Sequence, residues 1–210
     1  MEAVEYLLVA VGSYLLGSMS LSIYLSRKMY GGDVRSHGSG NAGATNMARV
    51  YGMMAGVLTL VADIMKAVIS MVVGYLLLGD MGLSIGGICC IVGHCFPVFH
   101  HFKGGKGVSV GGALSLLLDW RVGLLVVGMF LLGAFLSKKV SLGSVLGALA
   151  AGIGPFIFGV SGPRMVLGVV AMCIVIFRHR ENIVRLIKGT EPDFKAAKPK
   201  KKAEAQTQGE

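Results

Sequence analysis

Apolar runs follow one another along this chain at about 4–26, 53–79, 82–99, 107–119, 121–137, 142–160 and 163–178. A helix needs about 20 apolar residues to cross roughly 30 Å of hydrocarbon, and most of these runs meet that length. The connections are short, and no soluble domain fits beside the runs. Charged residues make up 15% of the chain and mean hydropathy is +0.71, against roughly 25% charged in a soluble domain. The expected architecture is all-α: a polytopic membrane helical bundle of about seven transmembrane helices. A membrane-embedded domain spans 1–193 and a disordered Lys-rich tail spans 194–210. The fourth run, "GVSVGGALSLLLD", is too short to cross unaided. It begins inside the preceding loop, crosses a thinned region or is re-entrant, and a six-span variant that merges or demotes it stays open.

The longer connections that carry Lys and Arg are the first, third, fifth and seventh. Positive loops stay in the cytoplasm, so all four are expected there, with the N-terminus outside and the C-terminus cytoplasmic. Any loop chemistry then faces the cytoplasm. The first run has Glu2 and Glu5 where a signal peptide carries basic residues, and it reads as a span. Net charge is +9, but the positives sit between apolar runs and in "KAAKPKKKAE". No basic face is interleaved with aromatics, which excludes nucleic acid as a partner. The tail lysines Lys195, Lys198, Lys200, Lys201 and Lys202 either rest on anionic lipid or simply solvate the tail.

Cys89, Cys90, Cys95 and Cys173 lie within or at the end of apolar runs, so no disulfide framework is expected. "CCIVGHCFPVFHH" matches no zinc spacing, and no metal or cofactor is expected. Asp63 and Lys66 stand three apart inside the second run. Intramembrane charges mark function by default; a self-neutralising i,i+3 pair is the plainer reading.

Four polar blocks interrupt the apolar text. "RSHGSGNAGATN" (35–46) fits G-x-G-x-x-G at Gly38, Gly40 and Gly43, but it follows a membrane helix and not a strand, which argues against a dinucleotide site. Glycines still let successive N–H groups form an anion nest. Ser39, Asn41, Thr45 and Asn46 add side-chain donors, and Arg49, at the start of the next helix, adds a fixed charge. In "HHFKGGKG" (100–107), Lys103 and Lys106 flank Gly104 and Gly105. This is not a Walker loop, but two lysines in a glycine setting can reach a phosphate as point charges. In "VSLGS" (140–144), Ser141 and Ser144 are placed to cap the helix that follows, whose N-terminus favours anions. In "RHRENI" (178–183), His179 and Asn182 share a helix face at the membrane surface. Arg178 and Arg180 serve as stop anchors. Together the blocks describe a composite phosphate pocket beside lipid.

"GSGNAGATN", "GHCFPVFHHFKGGKGV", "SLGS" and "HRENI" occur in the order found in the bacterial acyl-phosphate:glycerol-3-phosphate acyltransferases, and the chain resembles that family over about residues 3–190. The resemblance implies a seven-helix inner-membrane enzyme with a cytoplasmic active site. Its reaction would move a fatty acyl chain from acyl phosphate to the sn-1 hydroxyl of glycerol 3-phosphate, giving lysophosphatidic acid and inorganic phosphate. Carried over by motif, Ser39, Asn41, Arg49, Lys106, Ser144, His179 and Asn182 would line the pocket. Partners would be acyl phosphate, glycerol 3-phosphate and membrane lipids, with the protein a monomer.

The sequence agrees by what it lacks. The residues five after His37, His94, His100, His101 and His179 are Ala42, Phe99, Gly105, Lys106 and Val184. H-x-x-x-x-D, common in thioester-dependent acyltransferases, is therefore missing, as is G-x-S-x-G. The implied mechanism is direct attack without an acyl-enzyme. Lys106 and the Ser39/Gly40 region hold a phosphate, donors there or on Ser144 polarise the carbonyl, and the base is His179 or a phosphate oxygen of the substrate, the latter favoured. The rival class is a transporter, for which a broken-helix site around Asp63 and Lys66 would be the signature.

Overall fold

Glycines set how tightly the helices of this chain close on one another. The structure, a computed structural model, describes residues 2–197; the expected tail beyond them lies outside the described residues. Among the described residues the chain forms nine α-helices and no strand. They are α1 (Glu2–Ser18), α2 (Leu21–Tyr30), α3 (Ala44–Tyr51), α4 (Met53–Cys95), α5 (Val108–Leu118), α6 (Trp120–Ser137), α7 (Val140–Ile157), α8 (Gly162–Arg178) and α9 (Arg180–Ile187).

Helix α4 is a hairpin. Leu78 and Gly79 leave helical geometry, with Gly79 at φ +59°, and the chain doubles back there. The arms touch through glycine: a Cβ on Gly74 would stand 2.2 Å from the Gly82 carbonyl oxygen, and one on Gly86 would stand 2.4 Å from that of Ser70. In lipid no hydrophobic force drives helices together, so small residues that let backbones approach supply the packing. Helix α1 seats on the second arm by the same device, with Gly17 against Cys90 and Gly93 against Tyr14. Helices α6, α7 and α8 form the other half of the bundle, in contact through Gly143 and Gly168.

The first apolar run is broken: α1 ends at Ser18 and α2 starts at Leu21. The break frees backbone carbonyls, and Lys66 Nζ takes those of Gly17 and Met19 at 3.1 and 3.2 Å. Helix α5 has 11 residues, about 16 Å at 1.5 Å per residue, and Val110, Leu114 and Leu118 bury it among its neighbours. Four helical stretches are long and apolar enough to cross a membrane (Ala3–Tyr30, Met53–His100, Trp120–Ser137 and Val140–Ile157). Helix α8 has 17 residues and ends at Arg178, and α9 leaves it at a 62° bend after the span. The outer surface suits hydrocarbon: Phe135 is 84% exposed and Leu76 is 76% exposed. After α9 the chain turns back over the bundle end, where the Phe194 N–H donates to Lys138 O and the Ala197 N–H to Ala48 O.

Candidate active site

A polar cavity of about 510 Å3 opens at the bundle end where α3, α5 and α7 begin and α8 stops. The first turns of those three helices all border it, through Ala44 and Thr45, Val108 and Ser109, and Val140 and Ser144. None of the three N-termini carries a side-chain cap. Their first N–H groups therefore lack intrahelical partners and add the positive ends of three helix dipoles. Arg49 and Lys106 bring full charges to the same space, so the cavity is built for anions.

The glycine loop before α3 is held from inside. Asn46, 1% exposed, donates its amide to the carbonyls of Val34, His37 and Asn41 and accepts the Ser39 N–H at 2.8 Å. Gly38 has φ +60°, and a Cβ on it would stand 2.3 Å from Asn46 Oδ1. Asn46, expected as a ligand donor, thus spends its amide on the loop. The Ser39 hydroxyl makes no hydrogen bond among the described residues and borders the cavity with Gly38, Asn41 and Thr45. Arg49, expected at the start of a helix, lies on the last turn of α3 and makes no ion pair among the described residues.

Lys106 donates to Asn182 Oδ1, Asn182 Nδ2 donates to Glu191 Oε1 at 2.7 Å, and Arg185 Nε donates to Glu191 Oε2 at 2.7 Å. Burial, Arg185 and Arg178 push the Lys106 ammonium below the usual lysine range. Burial works against the charge of Glu191, yet hydrogen bonds from Arg185 and Asn182 keep its carboxyl below the usual range.

His179 is 3% exposed. Its Nδ1 lies 2.8 Å from the Val175 carbonyl, an acceptor only, so Nδ1 carries the proton and Nε2 keeps a lone pair. Burial, followed by the charges of Lys106 and Arg178, lowers the ring pKa to about 4. His179 is neutral at pH 7.

Ser141 and Ser144 do not cap α7, because the helix already starts at Val140 behind Lys139. Ser144 donates back to Val140 O at 2.8 Å and borders the cavity. Ser141 is buried behind the lining, beside Glu191. Gly40, Lys103 and Gly104 border a neighbouring polar vestibule of about 760 Å3 with Arg35, Arg178 and Arg180. Gly105 borders neither space and packs on His94. Arg178 is more than a stop anchor: it donates to Gly105 O at 3.1 Å and to Gly104 O at 3.3 Å. Reasoning from sequence missed Ser109, Arg185 and Glu191, and gave no role to His94, which borders the cavity. "GTE" (189–191), five residues beyond "RHRENI", was the one signal for Glu191.

A second, apolar cavity of about 350 Å3 shares Ala44, Thr45, Val108, Ser109 and Ser144 with the polar one. It continues between α4, α5, α6, α7 and α8 over small residues that include Gly111, Gly112, Gly147 and Ala148. The site therefore joins an anion cage to a slot of hydrocarbon character.

Residues 7–189 match the family described as "Glycerol-3-phosphate acyltransferase". A relative of that name from Prochlorococcus marinus (strain NATL1A) is 40% identical over 191 residues, covering 89% of this chain and 96% of its own. Another from Finegoldia magna is 36% identical over 196 residues, covering 91% and 97%. Among solved structures, the chain is similar to PlsY (YgiH), an integral membrane glycerol 3-phosphate acyltransferase. In its glycerol 3-phosphate form the TM-score is 0.84 at 35% identity, covering 90% of this chain and 96% of that one. In its lysphosphatidic acid form the TM-score is 0.81 at 34% identity, covering 90% and 95%. A chain with this cavity, matched along nearly its whole length, belongs to the glycerol-3-phosphate acyltransferase family.

Proposed function

We propose that this chain transfers a fatty acyl group from acyl phosphate to the sn-1 hydroxyl of glycerol 3-phosphate, releasing lysophosphatidic acid and inorganic phosphate. The observation that carries the reading is the shared wall between the anion cage and the apolar slot. A donor that is a phosphate at one end and a long chain at the other fits that pair of spaces, with its carbonyl near Ser109 and Ser144. No H-x-x-x-x-D or G-x-S-x-G stands ready to activate a thioester or ester. An acyl phosphate needs less activation, because phosphate is a good leaving group.

The glycerol hydroxyl oxygen attacks the carbonyl carbon, and the bond from that carbon to the phosphate oxygen breaks. Lys106 and the helix N-termini neutralise the departing phosphate, and N–H donors stabilise charge on the carbonyl oxygen. His179 Nε2 accepts the hydroxyl hydrogen bond and orients the nucleophile. With a pKa of about 4, His179 is a weaker base than a phosphate monoester, whose second pKa is roughly 6. The proton therefore goes to a phosphate oxygen of the substrate. Holding both reactants in one cage supplies much of the rate.

The enzyme is proposed to act as a monomer. The basic connections surround the cage, so positive loops in the cytoplasm put the active site on the cytoplasmic side of a bacterial inner membrane, with the N-terminus outside. The test is phosphate release by the purified protein in lipid, given palmitoyl phosphate with and without glycerol 3-phosphate, and palmitoyl-CoA in parallel. Release that requires glycerol 3-phosphate, yields lysophosphatidic acid and is absent with the CoA thioester is expected. No turnover by folded protein overturns the reading.

A further inference from the structure

The buried charges of α4 have no part in the mechanism above, yet they reach the loop that carries Lys106. Asp63 and Lys66 pair at 2.9 Å across one helical turn, 4% and 6% exposed. Lys66 Nζ also lies 2.8 Å from His94 Nδ1 on the opposite arm of the hairpin. Asp63 Oδ1 stands 3.4 Å from the same nitrogen, so both members of the pair face that edge of the ring. The imidazole is thus fixed in orientation by the buried pair. The same ammonium takes the carbonyls of Gly17 and Met19 at the break between α1 and α2. Three separate stretches converge on it.

The other edge of the imidazole meets the glycine loop. A Cβ on Gly105 would stand 2.1 Å from His94 Nε2, and one on Gly104 would stand 2.1 Å from the His94 carbonyl oxygen. The Gly105 N–H donates to that carbonyl at 3.1 Å. From the solvent side Arg35 holds the carbonyls of His100 and Lys103, and Arg178 those of Gly104 and Gly105. The loop is pressed between two arginines above and one imidazole below, and the residue after the pressed glycine is Lys106.

We propose that His94, set by the buried Asp63–Lys66 pair, is a positioning residue for Lys106: it fixes the floor of the glycine loop and so the place of the ammonium in the anion cage. This explains why a charge pair is kept inside a membrane helix whose function needs no transport path. It also explains why residues 104 and 105 are glycines although neither has a positive φ: there is no room for a side chain between loop and ring.

The activity arm of the test rests on the acyltransferase reading; the labelling arm does not. Competitive acetylation with acetic anhydride, read by mass spectrometry, gives the reactivity of Lys106 relative to Lys103 on the same loop. In His94→Leu, which fills the space without accepting from Lys66, the ratio is expected to rise at least about threefold, with kcat/KM falling about tenfold or more. His94→Gln, which offers Lys66 an acceptor again, is expected to recover most of both. Should His94→Leu fail to fold, Gly105→Ala leaves the buried pair intact and drives a methyl into the ring; the same rise in labelling is expected. A labelling ratio unchanged in folded His94→Leu, or unchanged in Gly105→Ala, overturns the proposal even if the enzyme proves inactive with acyl phosphate.

Discussion

Lys106 donates its ammonium to the Asn182 amide oxygen across 76 residues of sequence, and Asn182 can present that oxygen only because Glu191 holds its NH2 group. The cation that fronts the anion cage is therefore aimed by a polar chain from the far end of the protein. Removing the cation should remove the cage's main full charge together with Arg49. Lys106→Ala is expected to lower kcat/KM by about 10²–10³-fold or more, the loss typical of a donor aimed at developing charge in a dry site. Lys106→Arg should restore little, because a planar fork does not replace a compact ammonium. Initial rates of phosphate release check both.

Glu191 predicts a graded series. Glu191→Gln keeps a partner for Asn182 but frees Arg185 from its ion pair, while Glu191→Ala frees both. Kinetics in lipid should show about a threefold loss for Gln and a tenfold or greater loss for Ala, with KM for glycerol 3-phosphate rising in each. Equal, negligible losses would mean that Asn182 orients without help.

The pH profile separates the two candidate bases. The His179 pKa of about 4 lies below the ordinary histidine value, so the ring is neutral from pH 5 upward and gains a proton only in stronger acid. The substrate phosphate gains its proton near pH 6, and the rate should fall as pH drops through that value. His179→Ala should cost about tenfold, less than Lys106→Ala, and leave the acid limb where it was. A limb that vanishes in His179→Ala, or a loss as total as that of Lys106→Ala, would assign the proton to His179.

Asn46 predicts a stability effect. Its amide makes four hydrogen bonds to the backbone of residues 34–41. Asn46→Ala leaves the Ser39 N–H and the Asn41 carbonyl unpaired at about 1–3 kcal/mol each, while the carbonyls of Val34 and His37 keep the N–H groups of His37 and Gly40. Hydrogen exchange should speed up over residues 34–46 while α6 and α7 keep their protection, and activity should fall with the loop. Ser39→Ala should lose activity with exchange unchanged.

How much of this was legible depends on how local each signal is. Ser39, Lys106, Ser144 and His179 stand in short polar blocks set against apolar text, and each borders the cage. Lipid makes such contrast readable. The reversal at Leu78–Gly79 was legible for the same reason, since "GDMG" follows a full span. The break between α1 and α2 was not, because its orphan carbonyls are satisfied by a lysine 47 and 49 residues away. Ser141 and Ser144 were misjudged as caps because helix starts carry an error of a residue or two, and here that error decides which way a hydroxyl faces. Glu191 escaped because it enters the site only after the chain reverses at Gly189, which has φ +68°.

The apolar slot yields a prediction about the donor. Gly112 borders the slot, and a Cβ there meets nothing within 4 Å. Replacing a mid-helix glycine lowers the backbone cost by up to about 1 kcal/mol, so Gly112→Leu should fold at least as well as the parent. Its side chain would occupy space that the acyl chain fills. A buried methylene is worth about 0.8 kcal/mol, so displacing the chain from Gly112 onward should raise KM for palmitoyl phosphate by about tenfold or more. Gly112 stands about 4.5 Å along α5 from Ser109, so only a donor as short as acetyl phosphate ends short of the obstruction and should be used nearly as well as before. Comparing kcat/KM for the two donors in parent and variant measures the shift. A uniform loss for both would place the acyl chain elsewhere between the helices.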